Sequence, residues 1–370
     1  MTPNENNVVT VYIGTYTRSE QHVDGKGEGI YIYHLDLSSG MLSPVNIVAS
    51  ITSPAFLTVN PRQRALYAVN EVDELDGQPG GAVSAFAIDP ATGGLHVLNR
   101  QPSGGTFPCH VSVDQSGAWV LAANYGSGSV IALPILSDGS LGPVAAHVQH
   151  HGSSATSRQE SPHAHCVITD PTNHYLLAAD LGIDRIKIYR LDPPHGLLTP
   201  NDPPDVALEA GAGPRHLDFH PNGRYLYCLN ELNSTLSAFA YDAEHGTLHP
   251  IQTIATLPDD FRGTNYCAAV EVAPSGRFVY SSNRGHDSIA IFAIDQATGA
   301  LTSVGYVSSQ GHYPRTFTID PTGKLLLVAN QNTDTVVSFW INPQTGQLTL
   351  TGYTAHVPTP VCLRAVKLNG

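Results

Sequence analysis

The chain is short of cations. Only 18 of its 370 residues are Lys or Arg, against 31 Asp or Glu, and the formal net charge is −13. A protein that binds nucleic acid or an anionic membrane usually carries the opposite balance, so neither partner is expected. The five cysteines, Cys109, Cys166, Cys228, Cys267 and Cys362, are odd in number and include no CxxC pair. Neither a disulfide framework nor a thiolate zinc site is signalled, and the pattern suits strand cysteines in a reducing compartment. No apolar stretch is long enough to span a bilayer. The opening MTPNENNVVT has neither the basic region nor the apolar run of a signal peptide. These absences predict a soluble cytoplasmic protein.

Glycine and proline are plentiful, at 34 and 27 residues beside 41% hydrophobic residues. Such a composition fits an all-β protein rich in turns. The chain repeats itself. An apolar strand, a turn with Pro or Gly, and a second apolar strand ending in Asn or Asp recur six times. The copies are SPAFLTVNPRQRALYAVNE from Ser53, FPCHVSVDQSGAWVLAANY from Phe107, SPHAHCVITDPTNHYLLAADL from Ser161, GPRHLDFHPNGRYLYCLNE from Gly213, NYCAAVEVAPSGRFVYSSNR from Asn265 and YPRTFTIDPTGKLLLVANQ from Tyr313. A seventh copy, TPVCLRAVKL from Thr359, lacks its second strand, which VVTVYIGTY from Val8 to Tyr16 can supply. The starts lie about 46 to 54 residues apart, the range of propeller blades. A third strand, a Gly-containing hairpin such as DAEHGTL or NPQTGQL, and a fourth strand follow each copy. The prediction is one seven-bladed β-propeller over residues 1–370, with four antiparallel strands per blade and both termini sharing a blade. That overrides the two or three domains the length alone suggests.

In a propeller the first strand of each blade lines the central channel, and strand two ends at the mouth where strand one begins. Arg215 lies eight residues before the turn residue Gly223 and Glu231 eight after it, so the two should meet across the pair. Aligning the copies on their turns places Ala55, Cys109, His165, Arg215, Ala268, Arg315 and Val361 in one column. Glu71, Tyr125, Leu181, Glu231, Arg284, Gln331 and Tyr16 form the other. A repeat that only stacks has no need of His, three Arg and two Glu at one mouth. The column before the second is Asn70, Asn124, Asp180, Asn230, Asn283, Asn330 and Thr15. That monotony reads as architecture, a short polar side chain satisfying turn backbone. Asn230 and Asn283, beside Glu231 and Arg284, are also kept as candidate substrate contacts.

In SPHAHCVITDP, His163 and His165 point to one side of one strand end. A metal would need further ligands; His147, His150 and His151 could approach, but their spacing matches no metal motif. A purely structural His165 is the alternative, and a catalytic or ligand-binding His165 is the preferred reading. The segment HHGSSATSRQE before it breaks the repeat at the same mouth. It reads either as a binding loop hanging Arg158 and Gln159 over the site or as a solvated loop.

Taken in order, SRQESPHAH, GPRHLDFHPNGRYLYCLNE, SSNRGHDSIAIF and YPRTFTIDPTGKLLLVANQ resemble the seven-bladed lactonase family. Its members include bacterial propeller-type 6-phosphogluconolactonases and fungal carboxy-cis,cis-muconate cyclases. The resemblance runs from Tyr12 to the closing strand. It implies a catalytic set of His165, Arg215, Glu231 and Arg284. It also implies hydrolysis of 6-phospho-D-glucono-1,5-lactone to 6-phosphogluconate in the pentose phosphate pathway. A muconate-type cyclase and a non-enzymatic interaction platform are the alternatives. The expected partner is an anionic small-molecule lactone, with no cofactor and no metal. His165 is expected to be the general base, with Glu231 the rival. Arg215 or Arg284 would hold the oxyanion, and Arg158, Arg284 or Arg315 the phosphate. His163, Gln159, Glu71 and Tyr125 complete the candidate substrate contacts.

Overall fold

The computed structural model describes residues 7–20 and 23–368. Residues 1–6, six of the ten in the N-terminal stretch read above for a signal peptide, lie outside them, as do residues 21–22 and 369–370. The second strands ALYAVN, WVLAAN, YLLAAD, YLYCLN and LLLVAN are buried at every residue. A strand with both faces covered belongs inside a stack of sheets. The fourth strands, such as Thr247–Ala255 and Leu301–Ser308, carry exposed positions and lie outermost.

Seven four-stranded antiparallel sheets result. Their inner strands are Leu57–Val59, Pro108–Val113, Ala164–Thr169, Pro214–Phe219, Tyr266–Val272, Pro314–Ile319 and Pro360–Val366. Each touches the inner strand of the next, and Pro360–Val366 touches Leu57–Val59, so the ring closes. The last inner strand pairs with Val8–Thr15, from Thr10 opposite Val366 to Gly14 opposite Cys362. The two ends of the chain therefore complete one blade, as the incomplete seventh repeat requires. Among the described residues there is no α-helix, and no helix long and apolar enough to cross a membrane.

Apolar side chains fill the wedges between blades. Tyr227, Leu229 and Leu236 of one blade pack with Cys267, Val279 and Phe292 of the next. Several tyrosines fasten neighbouring blades at their polar tips. The hydroxyls of Tyr12, Tyr67, Tyr227 and Tyr280 donate to the carbonyls of Gly93, Gly139, Gly299 and Gly346, at 2.9 to 3.0 Å. The predicted Asn column is architectural. Asn124 and Asn330 donate to the carbonyls of Ser103 and Ser309, and Asn283 to that of Thr256. Asn230 binds the hydroxyls of Thr235 and Ser237.

One feature of register escaped the sequence alignment. Pro214 pairs with Asn230 and His216 with Leu229, which leaves Arg215 as the extra residue of a β-bulge. The same irregularity isolates Cys109, His165, Arg315 and Val361, each the column residue of its repeat. A bulge re-aims side chains locally. Here it turns two consecutive residues, such as Arg215 and His216, toward the channel, which they line together.

Below the bulges the channel opens into a second cavity of about 410 Å³, lined by Asp218, Glu271, Arg364 and the rings of Phe56, His110 and His216. Burial pushes the Asp218 carboxyl up to about 7 and the Glu271 carboxyl up to about 8, the latter helped by the neighbouring Asp218. Unfolded carboxyls titrate near 4. Between those values the native state binds more protons, so stability falls as pH rises. The melting temperature is expected to drop from pH 5 to pH 9, and Glu271→Gln should flatten that drop in a thermal scan across the range. A drop undiminished in the variant would assign it to other groups.

Candidate functional site

The upper mouth holds a cavity of about 560 Å³, large enough for a hexose phosphate. Eight of the residues singled out from the sequence line it: Glu71, Tyr125, Arg158, His165, Arg215, Glu231, Arg284 and Arg315. They come from six repeats and the loop before one of them, with Arg215 and Glu231 sharing a repeat, and the ring brings them together.

Glu231 is its electrostatic centre. Its Oε2 lies 2.8 Å from Nε of Arg215 and 2.8 Å from Nη2 of Arg284, while Oε1 lies 3.3 Å from Nη2 of Arg158. Burial alone would push this carboxyl up. Arg284, Arg215 and Arg158 outweigh burial and hold it down at about 2. Glu231 is thus a permanent anion and a very weak base. Arg215 is 2% exposed; burial and the nearby Arg284 lower it to about 10, which still leaves it charged at neutral pH. Its Nη1 also donates to the Ala268 carbonyl and faces His216 Nε2 at 3.1 Å. Arg284 donates to the carbonyls of Tyr266 and Cys267.

The remaining cations rest on aromatic rings. Arg315 lies over Tyr16, donates to its hydroxyl at 2.8 Å and sits 3.7 Å from Glu71. Arg284 lies over Tyr313, and Arg158 over Tyr266. Arg158 also donates to the Tyr125 hydroxyl at 2.9 Å. It is the most exposed of the four arginines, with 45% of its side chain open at the mouth.

His165 is buried at the cavity floor. Its Nδ1 lies 3.7 Å from the Cys109 sulfur, and its ring meets Tyr125 and His216 edge-on. Burial first, then Arg215, His216 and Arg315, hold its pKa well below the ordinary imidazole value. It is neutral throughout the physiological range, so it accepts a proton and never starts as the donor. Among the described residues no three His, Cys, Asp or Glu side chains gather as a metal group.

Four expected substrate contacts stand outside the cavity lining. His163 stacks on Tyr125 with ring centroids 4.5 Å apart, and its Nδ1 is bound to the Tyr125 carbonyl at 2.9 Å, so it braces Tyr125. Gln159 is fully buried and donates to the Leu181 carbonyl, anchoring the loop that carries Arg158. Asn230 and Asn283 are spent on the turn bonds described above. The binding-loop reading of the His150–Glu160 segment thus applies to Arg158, and Gln159 serves as its root.

The sequence reading missed Phe107, Tyr266 and Tyr313, all of which line the cavity. Each stands two residues before a column residue, in the column that contains His163. Carrying the alignment two residues toward the rim exposes that aromatic run. Phe107 and Tyr313 adopt left-handed backbone, with φ of 48° and 64°. That conformation is unusual for a bulky side chain and collects at functional sites.

Removing the central anion should destabilise the fold. Glu231→Ala leaves Arg215 and Arg284 buried without their countercharge, at an expected cost of about 3–5 kcal/mol in unfolding free energy. Urea denaturation checks this; unchanged stability would mean that the guanidiniums are held by their carbonyl contacts alone.

Residues 10–365 match the family described as Lactonase, 7-bladed beta-propeller. The chain is 40% identical to a 6-phosphogluconolactonase of Bacillus subtilis over 95% of its own length and 97% of the relative's. It is 32% identical to a 6-phosphogluconolactonase of Formosa agariphila, covering 84% and 86% of the two chains. The periplasmic gluconolactonase of Pseudomonas aeruginosa superposes with a TM-score of 0.91 at 34% identity, covering 98% of this chain and all of that one. With the ring of seven blades and the family match over nearly its whole length, this chain belongs to the seven-bladed β-propeller lactonase family.

Proposed function

We propose that the protein hydrolyses 6-phospho-D-glucono-1,5-lactone to 6-phosphogluconate. The observation that carries this reading is a buried carboxylate clamping three guanidiniums around a neutral imidazole in one cavity. Relatives named 6-phosphogluconolactonase at 40% and 32% identity support the substrate. The structural relative named a gluconolactonase favours a second reading, in which the lactone carries no phosphate.

In this scheme His165 is the general base. Its low basicity keeps the ring in the accepting form beside four guanidiniums. As negative charge develops on the lactone oxygen, it offsets the repulsion that the forming imidazolium feels. Arg215 and Arg284, oriented by Glu231, stabilise that oxyanion. Glu231 is too acidic to compete as the base. Arg158, open at the mouth and mounted on its own loop, holds the phosphate, for which a planar guanidinium fork is suited. The five buried free cysteines support a cytoplasmic setting.

The test is turnover of 6-phosphogluconolactone generated in situ, measured against the spontaneous rate, with unphosphorylated gluconolactone and a carboxymuconate substrate beside it. Acceleration is expected to be far greater for the phosphorylated lactone than for the unphosphorylated one. His165→Ala and Arg215→Ala should stay folded and lose about 10²–10⁴-fold in kcat/KM; wild-type rates in either would remove that residue from the scheme. Because the His165 pKa is lowered, kcat/KM should stay flat from pH 7 down through 6. An acid limb at the ordinary imidazole value would point to a different base.

Arg158→Ala should raise KM for the phosphorylated lactone and leave kcat for the unphosphorylated one nearly unchanged. An equal loss on both substrates would place Arg158 at the reacting centre instead.

A further inference from the structure

Lactone opening needs two proton movements. The attacking water gives one up, and the ring oxygen, leaving as an alkoxide, takes one. His165 serves the first. Of the residues assigned so far, only the imidazolium that His165 has become can serve the second, since Glu231 is fixed as an anion and the guanidiniums stay charged; a separate donor would divide the two tasks.

We infer that Glu71 is the general acid that protonates the leaving ring oxygen. Glu71 follows the second strand of its blade and lines both the main cavity and the narrow neck beneath it, where His165 and Arg215 also stand. It is 5% exposed. Unlike Glu231, it is not clamped: the nearest guanidinium, that of Arg315, stays 3.7 Å away, beyond direct hydrogen-bond reach. The Arg315 fork is spent on the Tyr16 hydroxyl, which in turn is hydrogen-bonded to Glu71. Arg315 thus acts on Glu71 through a neutral phenol. Two carboxyls share one cavity under opposite pressure, Glu231 held down as an anion by its guanidiniums and Glu71 pushed up by burial.

The groups facing Glu71 set the balance. Burial raises its pKa. Arg315, the Tyr16 hydrogen bond and Arg215 pull it down without cancelling burial, and Glu20 at the rim raises it further. His165 across the neck is pushed the other way. A pair of titratable groups driven apart by their surroundings is the pattern of an acid and its base. The steps balance. Water oxygen bonds to the carbonyl carbon while its proton passes to His165. The tetrahedral oxyanion then collapses, the bond from that carbon to the ring oxygen breaks, and that oxygen takes the Glu71 proton. The imidazolium proton returns to Glu71 through water, and the new carboxylic acid loses its proton to solvent.

The inference rests on the lactonase reading, and one experiment separates the two. Glu71→Gln keeps the shape and an acceptor for the Tyr16 hydroxyl but carries no acidic proton. The pH dependence of kcat is measured for wild type and variant on 6-phosphogluconolactone. Wild type should lose activity on the alkaline side as Glu71 ionises. Glu71→Gln should fall about 100-fold in kcat with little change in KM, and its alkaline limb should vanish. An undiminished kcat, or a reduced one with the alkaline limb intact, overturns the inference. A wild-type enzyme inert toward every lactone offered instead removes the lactonase reading itself. Tyr16→Phe is the second variant, useful if Glu71→Gln does not fold. Losing that hydroxyl removes a hydrogen bond to Glu71 and releases Arg315, both of which set the Glu71 pKa, so the alkaline limb should move; an unmoved limb counts against Glu71.

Discussion

The upper mouth depends on the ionised carboxylate of Glu231. Bringing Arg215 to 2% exposure would be prohibitive without a countercharge, because several kcal/mol of hydration are lost per buried ion. Glu231 meets Arg215 and Arg284 at 2.8 Å each, and backbone carbonyls take up further donors on both. A hydrophobic replacement could fill the same space at no loss of stability. The charges are therefore better read as functional: they hold guanidinium donors in fixed positions before a substrate arrives. Preorganised donors of that kind act on developing charge without having to reorient.

The β-bulge makes this cluster compatible with a repeating scaffold. A regular strand would aim every second residue at the channel. The extra residue in the inner strands lets Arg215 and His216 both reach it, one serving the upper cavity and the other plugging the channel beneath. Cys109 with His110, His165 with Cys166 and Arg315 with Thr316 repeat the arrangement. The plug is aromatic. His165, His216, His110 and Phe56 follow one another at centroid separations of 4.4 to 5.7 Å. It divides the channel into an upper cavity lined by four arginines and four carboxyls and a lower one holding Asp218, Glu271 and Arg364. A chain of net charge −13 in this way gathers four of its 18 Lys and Arg residues at one mouth, above an aromatic layer.

Much of this was legible in the residues. The repeats gave seven blades, and the missing strand of the seventh gave the closure between Val8–Thr15 and Pro360–Val366. The columns through His165 and Glu231 contain nine residues of the cavity lining, and the irregular loop adds Arg158, because variation inside a repeat stands out against its architecture. What was hidden has a physical cause in each case. The alignment paired Arg215 with Glu231 directly, and only the register reveals the bulge between them. His163 was placed at the rim by spacing alone, whereas its stacking on Tyr125 is a contact between blades that no spacing encodes. Asn230 and Asn283, read both as architecture and as candidate contacts, hydrogen-bond to turn hydroxyls and a carbonyl and stand outside the cavity lining. Phe107, Tyr266 and Tyr313 were overlooked because the alignment stopped at the column residues, two positions short of the aromatic rim.

The two carboxyls of the upper cavity show why residue type alone cannot assign a role. Glu71 and Glu231 occupy the same repeat position in different blades, each just past the end of a second strand. Glu231 has three guanidiniums in reach and is driven to about 2. Glu71 has one, held off at 3.7 Å by the intervening Tyr16 hydroxyl, and burial prevails. The difference comes from the residues opposite: Arg215 and Arg284 flank one, Tyr16 and Arg315 flank the other. A seven-fold scaffold therefore generates chemically distinct groups from equivalent positions by varying the neighbours across each blade junction, and that asymmetry turns a structural repeat into a site with an inside, a mouth and a direction for protons to move.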